Sequence, residues 1–310
     1  MALNRRSLLW IFFVAVLVAL PPVTLALGQG FYIDLVRRIM IFAIVAVSLN
    51  LILGYGGMVS FGHAAYLGVG GYAVAIFAFY GVSNGFLQWG VAIGASAVVA
   101  LAIGAVSIRT SGVYFIMITL AFTQMLYYLG ISIEEYGGDD GIRVKMRSEF
   151  PLIDLGDGLQ FYYVVLVLML GAVYLTHRIV NSRFGMVLRA SKSNEARSRS
   201  IGFSPYPYRL AAFVIAGAMG GLAGALLVNQ VNFLTPDYMH WTRSGEIMFM
   251  VILGGMATSA GPVLGAFVLL LLEDLLSHWT EHWQVILGPL LVLSVLFFKR
   301  GLAGVFTKNE

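Results

Sequence analysis

The sequence contains no cysteine in 310 residues, which removes disulfides, thiolate metal centres and thiol nucleophiles together. Charge is scarce as well: Asp, Glu, Lys and Arg make up 11% of the chain, less than half the ~25% of soluble domains. Five scattered histidines give no expectation of a metal centre. No Gly-Lys pair occurs, so the phosphate-binding loop of an ATPase is missing. Neither G-x-S-x-G nor H-E-x-x-H is present, which leaves no hydrolase arrangement to build on. The acids fall outside the apolar runs or towards their outer ends, whereas a proton- or sodium-coupled carrier would need them along its path.

What remains is apolar. Hydrophobic residues make up 59% of the chain and the mean hydropathy is +0.87, the profile of a membrane protein. The first run, LLWIFFVAVLVAL after Arg5 and Arg6, has the outline of a secretory signal with Ala26 at its end, but the many runs that follow favour an uncleaved first span. Others cover 35–53, the stretch that follows the glycine-rich 54–64 and extends to about 80, then 87–108, 112–130, 161–180, 210–231, 246–257, 262–277 and 283–298. A span needs ~20 residues to cross ~30 Å of hydrocarbon. The expectation is one all-α, polytopic transmembrane domain over 1–310, of about ten spans with two glycine-broken segments.

The basic residues gather in one place. Between Arg178 and Arg209 stand seven of the nineteen Lys/Arg and a single acid, Glu195. A mid-chain basic segment marks the cytoplasmic side. Its punctuation suggests more than a solvated loop against anionic lipid. Phe184, Val187, Leu188 and Ser191 form one face of a first short helix, with a turn near Ser191–Ser193. Asn194 caps a second, with Glu195 in its first turn and Arg197 and Arg199 towards its end. Gly202 ends it, and Pro205 and Pro207 are expected to prevent its resumption. With the N-terminus inside, thirteen of the nineteen basic residues fall inside and thirteen of the fifteen acids outside, so both termini are expected to be cytoplasmic. Arg37 and Arg38 are misfits, expected to snorkel or to pair with Asp34.

The outer loop 131–160 reads as a turn with exposed carboxylates at Asp139-Asp140. Its oxygen ligands lack EF-hand spacing for calcium. Its acids, with Arg143, Lys145 and Arg147, suit a face touched by a soluble partner. Residues 54–72 hold seven glycines, and irregular backbone at membrane depth must be satisfied by protein or by a watery cavity. Gly68 and Gly71 suit helix packing, whereas Gly57, Ser60 and His63 are candidates for a translocation pathway. His63 reads either as a cavity-lining group or as an interfacial histidine bonded to a carbonyl. LGGMATSAGPVLG (253–265) echoes LGYGGMVSFGHAAYLG (53–68), adding Gly255 and Ser259, because duplicated glycine-broken segments point to a pathway between repeats. Glu246 reads as a helix N-terminal acid. Glu273, Asp274, His278, Glu281 and His282 read as outer surface.

Three stretches carry a family resemblance: SRFGMVLRASKSNEARSRSIGFSPYPYRLAAFVIAGAMGGLAGAL in the basic region and beyond, SLNLILGYGGMVSFGHAAYLGVGGYAVAI at 48–76, and GEIMFMVILGGMATSAGPVLGAFVLLLLEDLL at 245–276. Together they resemble the LivM-type permeases of branched-chain amino-acid ABC importers. The resemblance implies a permease domain over 1–310 in a bacterial inner membrane, and a transport subunit rather than an enzyme. It implies docking of ATPase subunits through 178–209, specifically Asn194, Glu195, Ala196, Arg197 and Gly202. Arg197 departs from the small residue usual there, which alters the electrostatics of that contact. The implied partners are two ATP-binding subunits, a second homologous permease, an extracytoplasmic substrate-binding protein and membrane lipid, with no nucleic acid. No cofactor is expected on this chain, ATP being used by the partner subunits. A urea or short-amide permease has nearly the same motifs, and an ion-coupled secondary transporter is the alternative of another class.

Overall fold

A helix apolar on every side belongs at the centre of a bundle, and α2 (Phe31–Asn50) is that helix. From Ile39 to Asn50 every residue is buried, and the helix continues into a π-helical turn, Leu51–Tyr55. The computed structural model describes residues 5–26, 28, 30–151, 153–297 and 301–305. Lys299, Arg300, Lys308, Glu310 and the extreme termini lie outside the described residues. Around α2 stand α1 (Arg5–Ala26), α3 (His63–Phe79), α4 (Gly85–Ser107), α5 (Val113–Ser132) and α6 (Gly158–Val180). Two short helices follow, α7 (Arg183–Ser193) and α8 (Glu195–Ser200), and then α9 (Pro205–Val231), α10 (Trp241–Gly254), α11 (Gly261–Trp279), α12 (Trp283–Phe297) and α13 (Gly301–Val305). The only sheet among the described residues pairs Ile142–Arg143 with Phe233–Leu234, antiparallel. The class is all-α and polytopic. Six helices of the described residues are long and apolar enough to cross a membrane, and the remaining apolar runs are helical as well.

Packing explains several sequence features. α1 contains Pro21 and Pro22, which cannot donate to the carbonyls four residues earlier, those of Leu17 and Val18. The hydroxyls of Tyr162 and Tyr163 on α6 donate to those two carbonyls, at 2.8 and 3.1 Å. α3, α4 and α9 approach closely through small residues: a Cβ at Gly70 would collide with the Gly221 carbonyl, and one at Gly224 with the Leu67 carbonyl. Gly68 and Gly71 likewise face Met239 and Leu234, so the packing reading holds for both. Arg37 is buried. Its guanidinium binds Asp34, Gln230 Oε1 and the Gly158 carbonyl (3.1 Å) and lies over the Phe161 ring, tying α2, α6 and α9. Of the two alternatives for Arg37, pairing with Asp34 is the one realised.

Two expectations are corrected. Pro205 and Pro207 do not hold the chain out of a helix; they open α9, because the first turn has unpaired N–H groups anyway and proline's fixed φ suits it. Glu246 is not in the first turn, since α10 begins at Trp241; it accepts from Arg243 at 2.7 Å instead.

Charge separates along the bundle. Arg109, Arg178, Arg183, Arg189, Lys192, Arg197, Arg199 and Arg209 lie at the end where α4, α6 and α7 finish and α5 and α9 begin, with Glu195 among them. The segment 133–157 covers the opposite, acidic end. There Asp139 and Asp140 are exposed, as are Arg143 and Lys145. Arg147 is spent internally, on Asn232 Oδ1 (3.1 Å) and the Leu155 carbonyl (2.9 Å). His278 and His282 stand four residues apart, a spacing able to chelate on one helix face, but α11 ends at Trp279 between them. No group of three or more His, Asp or Glu suited to a metal occurs among the described residues.

Candidate functional site

At the basic end α7 and α8 are two short helices held against the bundle. Ser182 accepts from the Gly185 N–H, and Val187, Leu188 and Ser191 are buried, with Phe184 half-buried against Tyr208. The turn falls at Asn194 alone, one residue later than expected. Its extended backbone (φ −158°, ψ 107°) breaks the helix, and its side chain accepts from the Arg197 N–H at 2.9 Å. Gly202 leaves α8 with φ +89°, a left-handed exit that favours glycine.

Among the described residues Glu195 is the lone acid of this end, and it is paired within the chain, to Arg199 at 2.6 Å and to Arg209 at 2.7 Å. Arg209 also donates to the Ser191 carbonyl at 3.0 Å, so it clamps α7 and α8 to α9. Partial burial on its own would raise the Glu195 carboxyl, but Arg209 and Arg199 outweigh it and hold the group below the usual glutamate range. The Glu195–Arg199 pair has the i,i+4 spacing visible in sequence; Arg209, fourteen residues on, was missed. Asn194, Ala196, Arg197 and Gly202 are all exposed, flanked by exposed Met186, Ile201 and Phe203. Four of the five docking candidates are thus exposed, and Glu195 is partly buried.

The two glycine-broken segments, distant in sequence, meet at the end of α2. Asn50, fully buried, donates from Nδ2 to the Thr258 carbonyl (2.8 Å) and accepts the Ala257 N–H on Oδ1 (3.0 Å). Gly54 and Gly255 need to be glycine here: a Cβ on Gly54 would strike Asn50 and Ala257, and Gly255 adopts φ +115° against Gly301. Ser259 lies at the basic end, within 3.2 Å of His177 Nδ1 on α6.

Between Gly56 and Gly62 the backbone is not helical. An unsatisfied backbone group in lipid costs several kcal/mol, and α5 supplies partners. Thr119 Oγ1 accepts the Phe61 N–H (3.2 Å), and Thr123 Oγ1 donates to the Phe61 carbonyl (3.2 Å). Ser60 is buried and accepts the Gly62 N–H, while Ser244 of α10 accepts from Ala64. His63 is fully buried and bonded through Nε2 to the Ser48 hydroxyl at 2.7 Å. It is neither exposed to a cavity nor bonded there to a carbonyl. Gly57 is exposed with φ +69°. It lines a cavity of about 180 Å³ with Val59, Thr110, Gly112, Lys192 and Arg209. Sequence reading missed Asn50, Thr119, Thr123 and Ser244; the only signal was a polar side chain inside an apolar run.

Comparison with known proteins agrees with this architecture. The family described as "Branched-chain amino acid transport system / permease component" matches residues 31–295. The chain is 27% identical to the high-affinity branched-chain amino acid transport system permease protein LivM of Escherichia coli (strain K12), over 94% of this chain and 74% of that protein. It is 25% identical to a probable LivM of Methanocaldococcus jannaschii over 83% of this chain and 85% of that protein. Against the E. coli K12 LivH the figures are 23%, 85% and 91%. No solved structure matches. With the family matched over most of its length and every apolar run folded as helix, the chain belongs to the permease components of branched-chain amino acid transport systems.

Proposed function

We propose that this chain is one of two homologous permease halves of an ATP-driven importer of branched-chain amino acids in a bacterial inner membrane. The observation that carries the reading is the exposure of Asn194, Ala196, Arg197 and Gly202 on a capped, clamped element at the basic end. In this reading the chain is one permease domain with about ten spans and both termini cytoplasmic, the basic end facing inward by the positive-inside rule. Two ATPase subunits dock on α7–α8, and ATP acts there rather than on this chain. An extracytoplasmic binding protein meets the acidic end, where Arg143 and Lys145 are exposed. The broken segments at 54–62 and 255–260 form this half's part of the pathway through Gly57, Gly255 and Ser259, with the buried Ser60 and His63 supporting the first segment from behind.

The division of labour follows from magnitudes. A zwitterion carries two charges, each costing several kcal/mol at the bilayer centre, so the permease supplies a lined, alternately open route. One methylene in an apolar pocket is worth only ~1–3 kcal/mol, a task suited to the soluble receptor. The test is retention of the ATPase on purified permease. Glu195→Lys strands Arg209, whose side chain is 15% exposed, and loss of a charged partner costs about 1–3 kcal/mol. Gly202→Val burdens the left-handed exit with a β-branched residue. Both variants are expected to insert normally but to lose the ATPase. Full retention with full ATP-driven uptake in both would contradict the docking reading.

A further inference from the structure

One side chain connects the docking element to the broken segments. Lys192, next to the end of α7, extends its Nζ to the Gly54 carbonyl at 2.6 Å. Gly54 lies in the π-helical turn that ends α2, where the last carbonyls lack intrahelical donors and carry the negative end of the helix dipole. A cation there both supplies the missing donor and suits the dipole.

The surroundings are shaped for this reach. The lysine stem lies on Gly57: a Cβ on that residue would sit 2.8 Å from Lys192 Cγ and 3.3 Å from Cδ. Gly57 therefore leaves the lane that the stem occupies. On the other flank of Gly54, Asn50 holds Ala257 and Thr258 of the second broken segment. Lys192 also borders the cavity of about 180 Å³ beside Gly57, Thr110 and Arg209, so its ammonium has space to swing off Gly54 without unpacking α7. The anchored face of α7 (Val187, Leu188, Ser191) fixes the root of the lysine to the helix that runs through Asn194 into α8.

We propose that Lys192 is the positioning residue that transmits movement of the docking helices to the paired broken segments. In the state seen here it latches the π-helical end of α2, and the latch must be drawn off Gly54 for the segments to part. This rests on the reading of α7–α8 as the ATPase-docking element.

Because the chain has no cysteine, Lys192→Cys introduces a unique thiol that can be rebuilt chemically. Bromoethylamine attaches an aminoethyl group and restores an ammonium at near-lysine length; iodoacetamide attaches a neutral amide. Alkylation precedes addition of the partner subunits, with wild-type permease treated in parallel. The measured quantities are ATPase retained and amino acid imported per ATP hydrolysed. Lys192→Met and the amide adduct are expected to retain the ATPase while import per ATP falls about tenfold or more, and the aminoethyl adduct to recover most of it, within the range of ordinary coupling energies. Unchanged import per ATP in Lys192→Met, or no recovery on aminoethylation, overturns the proposal. Loss of the ATPase from Lys192→Met also overturns it, placing Lys192 on the docking face and leaving the docking reading intact. Failure of that reading is seen separately, as retention by Glu195→Lys and Gly202→Val.

Discussion

Asn50 and Asn194 show how differently two amides of one chain are used. Asn194 is exposed and caps α8 with one bond to Arg197. Asn194→Ala is expected to cost about 1 kcal/mol, confined to α8 and seen as faster amide exchange over 197–200. Asn50 is buried and satisfies two backbone groups of the second broken segment. Asn50→Leu leaves both unpaired, at about 1–3 kcal/mol each, so the thermal midpoint in detergent should fall and transport be lost. An equal, small effect from both substitutions would contradict this. Glu195 adds a pH dependence. Its carboxyl is held below the usual range, so its contribution is present above the ordinary glutamate pKa and lost as pH falls through the lowered value. Amide exchange of α8 at fixed intrinsic rate should accelerate on acidification, and Glu195→Gln should flatten that response. Asn194 was legible because a cap acts on the residues next to it. The role of Asn50 was not, because its partners lie 207 and 208 positions away and nothing local announces them.

In the helices and between them, glycine does two distinct jobs, which the sequence separated for Gly68, Gly71 and Gly57 but not for Gly70 or Gly224. In α3 and α9 it permits close approach, and in the broken segments it permits backbone that other residues resist. Gly70→Val and Gly224→Val drive side chains into backbone carbonyls and should prevent accumulation of folded protein. Gly90→Val, on the open side of α4 with nothing within 4 Å of a Cβ, should be silent by the same assay. Gly57→Leu and Gly255→Leu should assemble but fail to transport, since each sits at positive φ beside the Asn50–Gly54 junction. If assembly fails instead, those glycines serve packing. Helix positions were legible throughout, since each apolar run became a helix. The opening of α9 by Pro205 and Pro207 was not, because proline ends one helix and begins another with the same sign in sequence. The pairing of Tyr162 and Tyr163 with the carbonyls that Pro21 and Pro22 leave free was likewise invisible, since only the fold brings α6 to α1.

For the whole molecule, the separation of a basic end from an acidic end orients every other assignment. Ser193 is exposed beside Asn194, and Asp139 is exposed at the far end. In this cysteine-free chain, Ser193→Cys should react with an impermeant maleimide only from the cytoplasmic face and Asp139→Cys only from outside. The resemblance in the basic region, 48–76 and 245–276 led to the family directly; what it could not convey is that those three stretches converge at the end of α2. That this permease moves amino acids only when driven by docked ATPases can be measured in proteoliposomes. These hold the permease pair with and without the ATPase subunits, and are loaded with binding protein and leucine in the compartment facing the acidic end. Leucine translocation is expected only with ATPase and ATP on the basic side, and none from a proton or sodium gradient alone. Gradient-driven translocation by the permease without ATPase or ATP would contradict it.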